Sequence, residues 1–142
     1  MASVSPDVQW MCIRKNSCFL RTVRKVPKRF STEPLNLAGV NSFRYNGLVN
    51  RKAVGIVGAA DGKGITLKFK KSKFQNKPVN AVEEVALKRN SRRSLRAIRK
   101  FLKDGHYRPA LVKMAERRAS QLLRSQKPRA IKKKRAAKKT AE

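Results

Sequence analysis

Residues 54–69, VGIVGAADGKGITLKF, predict a β-hairpin. Apolar and β-branched runs at the two ends of this segment flank a turn of small residues. The Asp61-Gly62 pair tolerates the positive φ that a tight reversal between antiparallel strands demands. The following Lys63 gives a superficial likeness to a phosphate-binding loop, but Gly64 stands where such a loop needs Ser or Thr. A hairpin turn is therefore predicted rather than a nucleotide site.

Upstream of the hairpin, the extreme N-terminal region has the alternating pattern of a half-buried strand. Val8, Trp10 and Cys12 alternate with Gln9 and Met11. A turn at residues 16–17 is then expected to lead into a second strand at residues 18–20, and Trp10 is expected to pack in the core. The two cysteines, at positions 12 and 18, are expected to be reduced and partly buried, because no secretory signal precedes them.

A second alternating segment lies at residues 42–46. Phe43 and Tyr45 alternate with polar residues, which places both rings on one face of a predicted strand and Arg44 on the other. The rings could pack in the core or stack on an unpaired base, and the sequence leaves both interpretations open. Arg44, on the opposite face, is predicted to contact RNA.

Downstream of the hairpin, the period of the apolar residues changes to that of a helix. In the first predicted helix Leu95, Ile98 and Leu102 share one face, Asn90 or Ser91 caps the start, and Gly105 ends it. A second helix is predicted from Pro109, with an apolar stripe of Leu111, Ala115, Ala119 and Leu122. Residues 80–88 are compatible with a helix or a strand.

These patterns predict an α+β fold. A small antiparallel sheet from the N-terminal half should pack with the two basic amphipathic helices, and a lysine-rich C-terminal extension should follow. Residues 1–126 are assigned to one RNA-binding domain. Residues 127–142 hold too few apolar side chains to form a core, so they are expected to be disordered when free.

The charge of the chain predicts a polyanionic partner. Its 142 residues include 37 Lys and Arg but only 8 Asp and Glu, a formal net charge of +29. Neutralised phosphates release counterions, which favours nucleic acid. A membrane is disfavoured, because no apolar run approaches the roughly 18 residues of a span and no lipidation signal is present. A free-standing chromatin protein remains the alternative within the nucleic-acid class, although the strand-rich N-terminal half argues against a winged-helix head.

The basic faces of the two helices, Arg44 and the lysine-rich extension are predicted to contact RNA, largely through phosphates. The extension also has the composition of a nuclear-import signal, and the two roles are compatible. The predicted RNA-contacting residues are Arg44, Arg92, Arg93, Arg96, Arg99, Lys103, Lys113, Arg117, Arg118, Arg124, Lys132, Lys133, Lys134, Arg135, Lys138 and Lys139.

Catalytic and metal-binding chemistry is not predicted. The one histidine, His106, lies near Asp104 beside a helix-ending glycine, where an exposed loop is expected; a ribonuclease that uses His106 is the catalytic alternative. Two cysteines and one distant histidine do not form a zinc site. No enzyme activity, cofactor, metal or small-molecule substrate is therefore expected.

Several strings of residues resemble one known family in the right order along the chain. They are Gln9-Trp10-Met11, Ser31-Thr32-Glu33-Pro34, residues 41–48 (NSFRYNGL), residues 59–64 (AADGKG), Tyr107-Arg108-Pro109 and residues 117–128 (RRASQLLRSQKP). The chain resembles the eukaryote-specific large-subunit ribosomal proteins numbered twenty-eight in the eukaryotic series. The resemblance covers Val8 to about Pro128, and the extension resembles the family only in composition.

This resemblance implies a structural constituent of the cytoplasmic large ribosomal subunit that binds rRNA, contacts neighbouring ribosomal proteins and supports translation. It also implies an import receptor before assembly and transit through the nucleus and nucleolus. A related family of assembly factors shares an N-terminal domain of this kind, so ribosome biogenesis is the alternative function. This chain lacks the additional cysteines and acidic tail of those factors.

Overall fold

A computed structural model describes residues 4–74 and 77–128. Within these two ranges, five strands and four α-helices follow one another with three short helical turns of other types. The elements are α1 (Pro6–Ile13), β1 (Leu20–Arg21), β2 (Phe30–Ser31), β3 (Val54–Gly58), β4 (Ile65–Lys70), a 3-10 turn (Ser72–Phe74), α2 (Pro78–Ala81), β5 (Val82–Leu87), α3 (Ser91–Arg99), a π-helical turn (Lys100–Asp104), a 3-10 turn (Pro109–Leu111) and α4 (Val112–Ser125).

The predicted hairpin is confirmed as strands β3 and β4. They pair antiparallel in a register that runs from Val54 opposite Phe69 to Gly58 opposite Ile65. Gly62 has a φ of 70° in the connecting turn, which is the positive-φ conformation that the Asp-Gly pair predicted. β5 pairs with the other side of β4, so the sheet has the order β3-β4-β5. Residues 82–87, which were compatible with a helix or a strand, therefore form an edge strand.

The two predicted helices pack on the sheet through their apolar faces. Ile98 and Leu102 are fully buried, as are Ala115 and Ala119, while Leu111 is 2% exposed. With Val54, Ile56, Ile65 and Leu67 they form one core beneath the hairpin. The α+β fold with two amphipathic helices is confirmed, and the basic side chains are left on the outside.

The end of α3 differs from the prediction in one detail. Gly105 follows the π-helical turn but has a φ of −74°, and the left-handed residue is His106, with a φ of 47°. A Cβ at position 105 would lie 2.6 Å from the carbonyl oxygen of Phe101. The glycine is therefore required for close approach of the chain to the preceding turn rather than for a positive φ.

The strand predicted at residues 8–12 is wrong, because α1 occupies this region. The Ser5 hydroxyl accepts a hydrogen bond from the backbone N–H of Asp7 at 3.3 Å, and Pro6 occupies the first turn. These are helix-start signals, and they override the alternation of Val8, Trp10 and Cys12. No residue of α1 is buried, so Trp10 is outside the core. The cysteines are reduced but exposed, not partly buried. Instead of a strand at residues 18–20, only Leu20 and Arg21 pair, with β2.

The strand predicted at residues 42–46 is also wrong. The backbone N–H groups of Tyr45 and Asn46 both donate to the carbonyl of Ser42, at 3.1 and 3.0 Å, which closes a turn. The two rings therefore separate: Tyr45 packs against the core, whereas Phe43 is exposed and lies 6.0 Å from Trp10, centroid to centroid.

One buried carboxylate organises the long loop before the hairpin. Glu33 is 5% exposed and accepts hydrogen bonds from the side chains of Ser31, Asn36 and Asn46 and from the backbone N–H of Gly47. A buried carboxylate satisfied in this way fixes the loop without regular secondary structure. The loop then carries Arg44 to the start of α4.

Candidate nucleic-acid interface

The outer face of α3 and of the π-helical turn is a row of cations. Arg92, Arg96, Arg99 and Lys103 recur at helical spacing and are exposed, because the residues on the opposite face are buried in the core. They line a shallow groove of about 890 Å³, together with Leu95, Lys100 and Asp104. Four of the predicted RNA-contacting residues therefore lie on one continuous surface, which is called the α3 groove below.

One member of the α3 groove has a carboxylate partner. Arg99 Nε lies 2.6 Å from Glu116 Oε1 of α4, and this hydrogen bond raises the pKa of Arg99. Glu116 therefore offsets the charge of this arginine. In the described ranges, no ion pair within 4.0 Å involves Arg92, Arg96 or Lys103. Those three cations have the charge available for phosphate.

Arg93 lies on the other side of α3, toward β5. It lines a second groove of about 440 Å³ with Arg96 and Lys100, and this is called the α3–β5 groove below. Lys88 and Arg89, in the connection between β5 and α3, also line it. Lys88 forms an ion pair with Asp61 of the hairpin turn at 2.6 Å; their hydrogen bond lowers the pKa of Asp61 and raises that of Lys88. The sequence prediction missed Lys100, although its spacing of four residues from Arg96 would have identified it.

α4 carries a separate row of exposed cations. Lys113, Arg117 and Arg124 lie on the face opposite the buried Ala115 and Ala119, as predicted. Arg118 is also exposed, but as the next residue along it points about 100° round the helix from Arg117. The structure therefore brings three of the four predicted α4 residues onto one face.

Arg44 is exposed but is held by the protein itself. Its guanidinium donates a 2.7 Å hydrogen bond to the carbonyl of Ala110 and lies 5.8 Å from the centre of the Tyr45 ring. The same residue's carbonyl accepts a hydrogen bond from Arg108 at 2.8 Å. Arg44 therefore lies beside the start of α4, not alone on a strand.

Tyr107 and Arg108 connect the helices to the sheet and loops, a role that the sequence prediction missed. The Tyr107 hydroxyl is directed at the carbonyls of Lys70 and Ala53, and burial raises the pKa of this phenol. Arg108 is half-buried and donates to the carbonyls of Lys52 and Arg44, and burial lowers its pKa. These residues position the basic faces of the helices on the domain.

A third cationic region, also missed, is the loop between β1 and β2. Every residue from Arg21 to Arg29 is exposed, and Lys25 has a φ of 65°. The signal was present in the sequence, because residues 8–32 contain no acid. The cations of this region are Arg21 at the end of β1 and Arg24, Lys25, Lys28 and Arg29 in the loop.

The lysine-rich extension lies almost entirely outside the described residues. The predicted contacts Lys132, Lys133, Lys134, Arg135, Lys138 and Lys139 all fall there. The chain is fixed just before this region: the Gln126 side chain donates to the Gly64 carbonyl at 2.7 Å and accepts from its N–H at 3.0 Å. The extension therefore begins beside the hairpin turn.

Within the described residues, the structure shows neither a cluster of metal ligands nor a membrane-spanning helix. Asp104 and His106 are both exposed. Across residues 4–74 and 77–128, no three His, Cys, Asp or Glu side chains come together as a metal site would need. In that same part of the chain, every helix is too short or too polar to cross a bilayer. The described residues instead present cationic surfaces on α3, on α4 and in the β1–β2 loop.

The family comparison and the individual relatives identify the same family of proteins. The model of the ribosomal L28e protein family matches residues 8–125. The large ribosomal subunit protein eL28 of Caenorhabditis elegans is 38% identical over 123 residues, which cover 87% of this chain and 91% of that protein. Its Schizosaccharomyces pombe counterpart is 38% identical over 133 residues, covering 89% and 96%. A protein of the same name from Dictyostelium discoideum is 37% identical over 60 residues, covering 42% and 43%.

Proposed function

The chain belongs to the ribosomal L28e protein family, and from this premise we propose that it is a structural component of the large ribosomal subunit that binds folded rRNA. The family is one of ribosomal structural proteins, so the chain is not an enzyme, as predicted. The resemblance noted in the sequence is likewise confirmed.

We further propose that phosphate contacts dominate this binding. The observation that carries the proposal is the α3 groove, where Arg92, Arg96 and Lys103 stand in a row on a packed helix without carboxylate partners in the described ranges. A row of cations whose backbone is fixed on a packed helix can match the spaced charges of an RNA backbone. Readout of shape rather than base sequence follows, because phosphates carry no sequence information.

The α4 row, Arg44 and the extension belong to the same proposal. Lys113, Arg117 and Arg124 add a second row on α4, and the sequence of the extension adds further lysines. Neighbouring large-subunit proteins are the proposed protein partners. Before assembly, the lysine-rich segment would bind an import receptor, and the protein would pass through the nucleus and nucleolus to cytoplasmic ribosomes that carry out translation.

Sedimentation of the tagged protein on sucrose gradients in high salt tests the proposal. We expect it to comigrate with polysomes and, after chelation of magnesium, with large subunits. Migration only with pre-ribosomal particles would instead identify an assembly factor. Release into light fractions together with recovery in salt-extracted chromatin would identify a chromatin protein. Deletion of residues 132–139 supplies a second readout: nuclear exclusion of the variant is expected if this segment is the import signal.

A further inference from the structure

Like the α3 groove, the α3–β5 groove combines cations with apolar side chains, but three apolar residues line it where only Leu95 lines the α3 groove. Ala86, Leu87 and Ala97 line it beside the cations Lys88, Arg89, Arg93, Arg96 and Lys100. No carboxylate is among its lining residues. Its volume of about 440 Å³ falls within the roughly 300–1,000 Å³ of small-ligand sites. Such a surface suits a ligand with an anionic group attached to a flat, weakly polar one.

The walls of the groove are held in place by the protein's own contacts. Ser94 is 1% exposed, and its hydroxyl donates to the carbonyl of Arg89 at 3.1 Å. The Asn90 side chain accepts from the backbone N–H of Arg93 at 3.1 Å, which fixes the start of α3. Asp61 holds Lys88. The groove is therefore formed before a ligand binds, which lowers the ordering cost of binding.

The two grooves are continuous, because Arg96 and Lys100 line both of them. An RNA backbone that follows the α3 groove would pass the mouth of its neighbour. We propose that the α3–β5 groove binds one unpaired nucleotide of the RNA whose phosphates lie along the α3 groove. The base or ribose packs against the alanines and Leu87, and the adjoining phosphate pairs with Arg93 and Arg96. This inference rests on the proposed function and adds to it a preference for unpaired over duplex RNA.

Charge and continuity favour RNA over an acidic peptide as the occupant. A peptide carboxylate would satisfy the cations, but it would not account for their extension into the row of Arg92, Arg99 and Lys103. A regular duplex satisfies that row but keeps its bases stacked, away from an apolar surface. Only an RNA with an unpaired nucleotide uses both grooves together.

The test compares an oligouridine of about 12 nucleotides with a blunt A-form duplex of equal phosphate number, by fluorescence anisotropy at one salt concentration. The full-length wild type should bind the single strand more tightly. The double variant Ala86→Leu, Ala97→Leu fills the groove without changing charge. We expect it to lose single-strand affinity by at least about fivefold while duplex affinity changes less than twofold. Ser72→Leu, at an exposed position of the 3-10 turn after β4, is the matched control and should change neither.

The outcomes separate the inference from the proposed function. Equal wild-type affinity for the two RNAs, or a preference that survives the double variant, would overturn the nucleotide site and leave rRNA binding intact. Failure of the wild type to bind either RNA would overturn both. Binding of oligoaspartate that the double variant loses, while its affinity for both RNAs stays unchanged, would instead assign the groove to an acidic protein segment.

Discussion

Replacing three cations of the α3 groove tests its role quantitatively. The variant Arg92→Ala, Arg96→Ala, Lys103→Ala removes exposed side chains, so the fold should be retained, and a circular-dichroism melt checks this. In the described part of the chain none of the three has a carboxylate within 4.0 Å, so each can neutralise one phosphate. Each lost phosphate contact lowers the slope of log K against log salt by about 0.7–0.9 in magnitude. The triple variant should therefore reduce the slope by about 2–3.

Arg99 provides the internal control, since Glu116 lies 2.6 Å from it. Arg99→Ala should lower the magnitude of the slope by less than Arg96→Ala does. Glu116→Gln removes the carboxylate charge, keeps the shape of the side chain and leaves Arg99 available for a phosphate. This variant should therefore raise the magnitude of the slope by up to about 0.9. The assay is anisotropy of a labelled rRNA fragment between about 50 and 200 mM salt. An unchanged slope in the triple variant would place the RNA elsewhere, and equal effects of Arg99→Ala and Arg96→Ala would mean that the ion pair does not persist on RNA.

Three further predictions concern stability. Ile98→Ala should lower the free energy of unfolding in urea by about 2–5 kcal/mol, because its side chain is fully buried; a wild-type midpoint would contradict this inward face. Gln126→Ala removes two hydrogen bonds to Gly64, so unfolding should cost about 1–2 kcal/mol less and the Gly64 amide should exchange faster; unchanged exchange would refute the clamp. Tyr107→Phe removes the hydroxyl that donates to the Lys70 carbonyl, so the free energy of unfolding should fall by about 1 kcal/mol at neutral pH. Because burial raises the Tyr107 pKa, the stabilisation from the buried neutral hydroxyl is present below about pH 10 and is lost as pH rises through the pKa of the folded state. Tyr107→Phe should therefore lose less stability in alkali than the wild type does. Parallel alkaline melts of the two proteins would oppose this.

The parts of the fold that could be predicted are those determined by local pattern. The hairpin at residues 54–69 has its turn residues and both strands in one short segment. The helices have apolar faces of unambiguous period, so their buried and basic sides were assigned correctly. The α3 groove followed from the same periodicity, since residues outside the apolar stripe of a packed helix must face solvent.

The N-terminal region could not be predicted in this way because its structure depends on competing or distant interactions. The alternation of Val8, Trp10 and Cys12 predicted a strand, but the helix-start signals of Ser5 and Pro6 determine the structure of α1, although no residue of that helix is buried. The loop around Phe43 is held by Glu33, whose partners lie up to 14 residues away and include a backbone N–H. A loop held by a buried carboxylate such as Glu33 leaves no periodic pattern in the sequence. The rings of Phe43 and Tyr45 were therefore assigned to one face of a strand that does not form.

The connections made by Arg108 have a consequence for the order in which the nascent chain can fold. Its guanidinium bonds the carbonyl of Arg44, 64 residues earlier in the chain. At about 5–20 residues per second of synthesis, Arg44 waits roughly 3–13 s for this partner. The basic β1–β2 loop and the exposed α1 are synthesised still earlier. The loop that carries Arg44 is therefore synthesised before Arg108 and Ala110, the two residues that hydrogen-bond to it from the start of α4. The contacts between Arg44 and the start of α4 therefore form only after at least 108 of the 142 residues have been synthesised.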